Sequence, residues 1–89
     1  MSAAEYHFRL FVAGDEANSR LAERNLRALC GEHLPNRHRI EVVNVLEDSE
    51  AALAAHVMVV PAVVVTAPRP VTLFGTLADK NAVLAALAL

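Results

Sequence analysis

The chain carries one thiol and few other groups in a pattern that could do covalent chemistry. Cys30 is the only cysteine, so neither dithiol exchange nor an internal disulfide is open to it. A lone nucleophilic thiol needs a helix N-terminus or a neighbouring cation to lower its pKa. Its flanking residues, Leu29 and Gly31, bring no charge. The spacing of nearby apolar residues instead places Cys30 well into a helix, on its inner side, as a small core residue. His7, His33, His38 and His56 show no paired ligand spacing, and a metal site needs three or four converging ligands. His56 falls at the end of a short helix, where a cation suits the macrodipole. No glycine-rich phosphate loop and no Ser/His/Asp set at recognisable spacing is present. Gly14 reads as a turn residue. These residues promise no catalytic centre, no metal and no cofactor. What remains is a charged stripe of Arg20, Glu23, Arg24 and Arg27, read as a solvated helix face or as part of a partner interface.

Composition narrows the classes further. Of 89 residues, 55% are hydrophobic and the formal net charge is −2. Disorder needs low hydrophobicity and high net charge, so a folded chain is expected, with helices packed on a sheet to bury the apolar surplus. The most basic stretch, Arg37-His38-Arg39, is too short to make a footprint for nucleic acid. The longest mostly apolar run, residues 57–67, is interrupted by Pro61, and a spanning helix needs roughly 20 apolar residues. No nucleic acid and no membrane partner is expected. Met1 to Glu5 lack the basic and apolar regions of a secretory leader, and a small secreted domain would more often carry several cysteines. The expected address is the cytoplasm. Near-neutral charge offers little long-range repulsion against self-association.

The elements that position these residues follow from pattern and punctuation. His7 to Val12 mixes aromatic and branched residues at strand length and stops at Ala13-Gly14-Asp15. Asn18 or Ser19 is the expected cap of a helix running to about His33. Ala22, Leu26, Leu29 and Cys30 share its apolar face, and Glu23 and Arg27 form a favourable i,i+4 pair. Pro35 and Asn36 stop it. A second strand spans Arg39 to Leu46. Asp48 or Ser49 caps a short alanine-rich helix ending near His56. Pro61 introduces a third strand, Ala62 to Thr66, and the apolar run from Val57 to Val65 suits a strand buried on both faces. Ala67-Pro68-Arg69-Pro70 must turn, because proline breaks ladder hydrogen bonds. Val71 to Phe74 is a fourth strand ended by Gly75. Asp79 to Ala88 is a last helix with Val83, Leu84 and Leu87 inward, and Thr76 with Asp79 fits a capping-box spacing.

The order βαβαββα gives a parallel first pair through a right-handed crossover and an antiparallel final hairpin. This is an α/β, thioredoxin-like arrangement with a mixed four-stranded sheet, in one domain over residues 1–89. Such a frame raises a redox reading. Its thiols belong at the start of the first helix, where Asp15 to Arg20 offer no sulfur. Pro61 takes the place of the thioredoxin cis-proline, and the isomer of Val60–Pro61 stays open at this point.

Taken in order, the segments resemble the KaiB family. Phe11-Val12-Ala13-Gly14 with Asn18-Ser19 resembles its first strand and turn. Glu41 to Leu46 resembles its second strand, and residues 57–63 around Pro61 its third. Pro68 and Pro70 fall on its proline run, and Gly75-Thr76-Leu77 on its final Gly-Asp-Leu. The resemblance implies a non-enzymatic clock protein that binds the ring-shaped ATPase KaiC, sequesters KaiA, and has a relative in the sensor domain of SasA. It also implies two folds. One is thioredoxin-like and binds partners. The other is a resting form, usually a tetramer, with the C-terminal half rearranged. Pro61, Pro68, Pro70 and Gly75 are then the fold-switch positions. Ala54, Ala55, Arg69, Val71 and Thr72 fall where partner contacts are expected, and a dimer or tetramer is expected at high concentration. Departures lie in that same region. Ala62 replaces a threonine, Ala54 and Ala55 replace acidic residues, Val71-Thr72-Leu73 replaces a basic pair, and Thr76 replaces the aspartate. Each leaves the fold reading intact and bears on which partner is met.

Overall fold

Alternation of aromatic and branched residues from Tyr6 to Val12 builds β1, the strand on which everything else is hung. In the computed structural model, which describes residues 4–89, the order is β1 (Tyr6–Val12), α1 (Ala17–His33), β2 (His38–Asn44), α2 (Ser49–Ala54), β3 (Ala62–Ala67), β4 (Val71–Phe74) and α3 (Lys80–Ala86). The leader reading at Met1, Ser2 and Ala3 lies outside the described residues. The strands lie in the order β2-β1-β3-β4. β1 pairs with β2 in parallel and with β3 antiparallel, and β3 pairs with β4 antiparallel. This is the expected mixed four-stranded sheet.

Period-two alternation sends β1 side chains to two cores. Phe8, Leu10 and Val12 meet Ala22, Leu26, Leu29 and Cys30 of α1, Val63 and Val65 of β3, and Val83 and Leu87 of the α3 region. Phe11 turns the other way and meets Val43, Ala52, Val57 and Ala62. The Tyr6 hydroxyl donates to the Leu87 carbonyl at 3.2 Å, which ties the end of α3 to the sheet. On the α2 side the buried patch is small: Phe11, Val43 and Ala62 from the sheet, Ala52 from α2 and Val57 from the loop after it. Further down, Arg9 sits 5.2 Å from the Phe11 ring centroid and bonds Glu41 across the parallel pair at 2.9 Å.

Several boundaries differ from the sequence expectation, each for a local reason. Glu16, not Asn18 or Ser19, caps α1. Its carboxylate accepts from the Asn18 and Ser19 amides, while Ser19 is buried inside the helix and its Oγ accepts from Ala13 N at 3.1 Å. β2 ends at Asn44 rather than Leu46, because Asn44 Oδ1 accepts from the amides of Gly14 and Leu46 and folds the chain into a turn. Asp48 caps α2 through the Ala51 amide. That helix stops at Ala54, and His56 lies beyond it in the left-handed region (φ 58) instead of closing its last turn. The run from Val57 to Val65 is not one strand: Met58 is 91% exposed and Val59 63% exposed, and pairing starts only at Ala62. Thr76 makes no cap, since Asp79 itself accepts from Ala82 N at the start of α3.

Candidate functional site

A thioredoxin-type reaction would be run at the β1–α1 junction, and that junction is spoken for. The amides of Asn18 and Ser19 would stabilise a thiolate there, but both donate to Glu16 at 2.9 and 3.2 Å. Cys30 lies deep in the core on α1. Burial pushes its thiol up to about 11 from 9.0, with Arg27 opposing weakly. A thiol held neutral is a poor nucleophile. The histidines are dispersed. His38 Nδ1–H donates to the Leu34 carbonyl at 2.7 Å, and His7 pairs with Glu5 at 2.7 Å. His33 Nε2 lies 3.3 Å from Glu32 Oε1 without hydrogen-bond geometry. Among the described residues no group of three or more His, Cys, Asp or Glu converges as a metal site.

The distinctive surface lies around Pro61. The Val60–Pro61 and Ala67–Pro68 bonds are both cis. Pro61 is buried, and its carbonyl accepts from the Gly75 amide at 3.0 Å, which straps the loop of residues 57–61 to the end of β4. Gly75 holds φ 92, a conformation that side chains with a Cβ rarely adopt. In register, Phe74 stands opposite Ala62, which in turn stands opposite Phe11. Opposed residues share a face, so Phe74 projects on the α2 side of the sheet. It belongs to neither buried cluster and is 60% exposed. Leu53 on α2 and Met58 and Val59 on the strapped loop are, like Phe74, large apolar side chains open to solvent. A groove of about 300 Å³ between Phe74, Leu77, Ala82 and Val83 runs from Phe74 toward α3.

The residues expected to contact a partner are divided by the fold. Ala54 ends α2 and is exposed, and Ala55 caps it with its side chain half-buried on the second core. Arg69 is exposed in the β3–β4 turn. Thr72 is exposed on the α2 side of β4, while Val71 packs against the core on the other side. Pro68 and Pro70 are exposed in the turn. Sequence reasoning missed Leu53, Met58, Val59 and Phe74. A usable signal was the proline after Val60: a strand that starts at Pro61 leaves the apolar residues before it in a loop.

The comparisons agree with this architecture. The profile of the KaiB domain matches residues 9–89. Circadian clock protein KaiB3 of Synechocystis is 29% identical over 80 residues, spanning 89% of this chain and 78% of that protein. The solution structure of the N-terminal domain of Synechococcus elongatus SasA superposes with a TM-score of 0.78, covering 99% of this chain and 88% of that one at 20% identity. Mitochondrial thioredoxin 3 of Saccharomyces cerevisiae gives 0.74, covering 97% and 80%, at 15% identity. The two structural likenesses speak to the fold, which is thioredoxin-like. The profile match runs through nearly every element described above, from β1 to the end of the chain, and on that ground the chain belongs to the KaiB family.

Proposed function

We propose that this chain is a non-enzymatic protein-binding module that docks, in its thioredoxin-like form, on a KaiC-type ATPase within a circadian clock or a related timing or stress system. The observation that carries the reading is the exposed apolar set of Leu53, Met58, Val59 and Phe74 around the Pro61 strap. Exposed apolar clusters of this kind mark interaction sites, and this frame holds its only thiol in the core. Family membership supports the choice of partner, as does the name of the Synechocystis relative. On this reading Ala54, Arg69 and Thr72 lie at the rim of the contact, and a KaiA- or SasA-like signalling protein is a further partner. The chain works in the cytoplasm and self-associates as a dimer or tetramer. Among the described residues no helix is long and apolar enough to cross a membrane.

The family resemblance extends the proposal to a second fold, with Pro61, Pro68, Pro70 and Gly75 as the positions about which the C-terminal half rearranges. A fixed thioredoxin-like interaction domain is the second reading. It is favoured by three tethers that hold the C-terminal third in place: Asn25 Nδ2 to the Thr76 carbonyl at 2.8 Å, Lys80 to Glu32 at 2.5 Å, and Tyr6 to Leu87. Amide spectra of the labelled chain, recorded while the KaiC homologue of the same genome is added, test the main proposal. Signals at residues 53–61 and 72–77 should shift or broaden first. Changes confined to α1 and β2 would overturn it.

A further inference from the structure

The exposed side of α1 carries charge that the chain itself leaves unused. Arg20, Arg24 and Arg27 follow one another at i, i+4 and i+7 along the helix. Arg27 is bonded to Glu23 at 3.0 Å. Arg20 and Arg24 make no hydrogen bond and no ion pair among the described residues. Like charges at i,i+4 repel, and a cation in the first turn opposes the helix dipole. Neither residue fills the core, so within one chain both are mildly unfavourable. Between them sits Leu21, 38% exposed, and Arg20 and Arg24 line a shallow depression of about 340 Å³ together with Asp15, Glu23 and Arg27, where Asp15 and Glu23 offset part of their charge without pairing with either.

A matching segment exists on the same chain. The turn after β2 presents Leu46, 73% exposed, and Glu47, and the first turn of α2 adds Glu50; both glutamates are exposed and without an ion pair among the described residues. Asp48, between them, is committed to the α2 cap. An apolar side chain with two exposed carboxylates thus lies on one short segment, and an apolar side chain with two exposed guanidinia on the first half of α1. Guanidinium and carboxylate pair in a fork geometry that adds direction to the attraction, and the two leucines supply the apolar centre that a polar rim needs.

We propose that this is an interface between copies: the Leu46–Glu50 segment, the turn after β2 and the start of α2, of one chain lies on the Arg20–Leu21–Arg24 face of a second. The contact is small and charge-steered, so it is weak and salt-sensitive. It uses none of the apolar residues assigned to the ATPase surface, so the two contacts can fail independently.

Sedimentation of the full chain, near 25 mM and near 500 mM salt, tests it with two charge-reversed forms, Arg20→Glu/Arg24→Glu and Glu47→Lys/Glu50→Lys. All six positions of change and contact are on the surface, and circular dichroism confirms that each form is folded. Glu47→Lys alone replaces the double change if α2 is lost. Association of the natural chain should weaken tenfold or more in high salt. Each reversed form alone should lose it, and an equimolar mixture of the two should regain it, because an intact acidic turn then meets an intact arginine face. A mixture that stays monomeric overturns the proposal. So does association of the natural chain that ignores salt, or a strict monomer up to about millimolar protein.

Discussion

If the Cys30 thiol is held neutral by the core, alkaline pH must cost the fold stability through that one group. The folded chain keeps its proton until about pH 11, while the unfolded chain releases it near 9.0. Between these values the unfolded state binds fewer protons, so stability falls as pH rises. The contribution is fully present below pH 9 and is lost progressively toward pH 11. For a one-proton linkage with these values, the loss is roughly 1 kcal/mol at pH 10 and approaches roughly 3 kcal/mol above pH 11. Alkaline pH acts on the rest of the chain as well, so the readout is a difference: urea unfolding of the natural chain and of Cys30→Ala, at pH 7, 9, 10 and 11. The substitution itself costs about 1 kcal/mol at pH 7, since a small buried group is removed. That gap should close and then reverse as pH rises through 10. A gap that stays constant, or widens, would refute the buried-neutral thiol and reopen thiol chemistry at Cys30.

Other consequences are local. Gly75→Ala should lower stability by about 1–2 kcal/mol in urea unfolding, because φ 92 penalises a Cβ although no atom lies within 4 Å of it. Gly31→Ala, in the last turn of α1 with nothing within 4 Å, should raise stability by roughly 0.5 kcal/mol in the same assay. Glu16→Ala removes the acceptor for the Asn18 and Ser19 amides and should cost about 1 kcal/mol, seen as faster amide exchange in the first turn of α1. Lys80 holds the Glu32 carboxyl below its usual pKa, chiefly through their hydrogen bond. Lys80→Met should return that carboxyl to the ordinary range in a carbon-detected titration, and no change would remove this tether from the account.

The fold was legible because its signals were redundant. The apolar face of α1 read from Ala22, Leu26, Leu29 and Cys30 is the face that the structure buries. The two prolines between Thr66 and Val71 could only be a turn, which fixed the β3–β4 hairpin, although β3 runs one residue further than expected, to Ala67, which pairs with His7. Caps were less legible. Several oxygen-bearing side chains crowd the start of α1, and a glutamate just before the helix can reach its amides as well as an asparagine or serine within it. The docking surface was the least legible part. Hydrophobic residues in a run look alike whether they are paired or not, so Met58 and Val59 were read with the strand that follows them. Val71 and Thr72 were read as one patch, but period two sends them to opposite faces. Phe74 lies outside both buried clusters and is 60% exposed, a fact about coverage that no local pattern carries.

The central claim is that the Pro61 end of the sheet is a docking surface for a KaiC-type ATPase. Calorimetry of the chain against the KaiC homologue of the same genome, with ATP and with ADP, tests it most directly when run beside Phe74→Ser and Met58→Ser. Both side chains are exposed, so both variants should keep the unfolding midpoint of the natural chain. The account predicts binding in at least one nucleotide state, weakened tenfold or more by each substitution, about 1.4 kcal/mol. Absence of binding in both states at tens of micromolar protein, or binding that both variants leave unchanged, would contradict it.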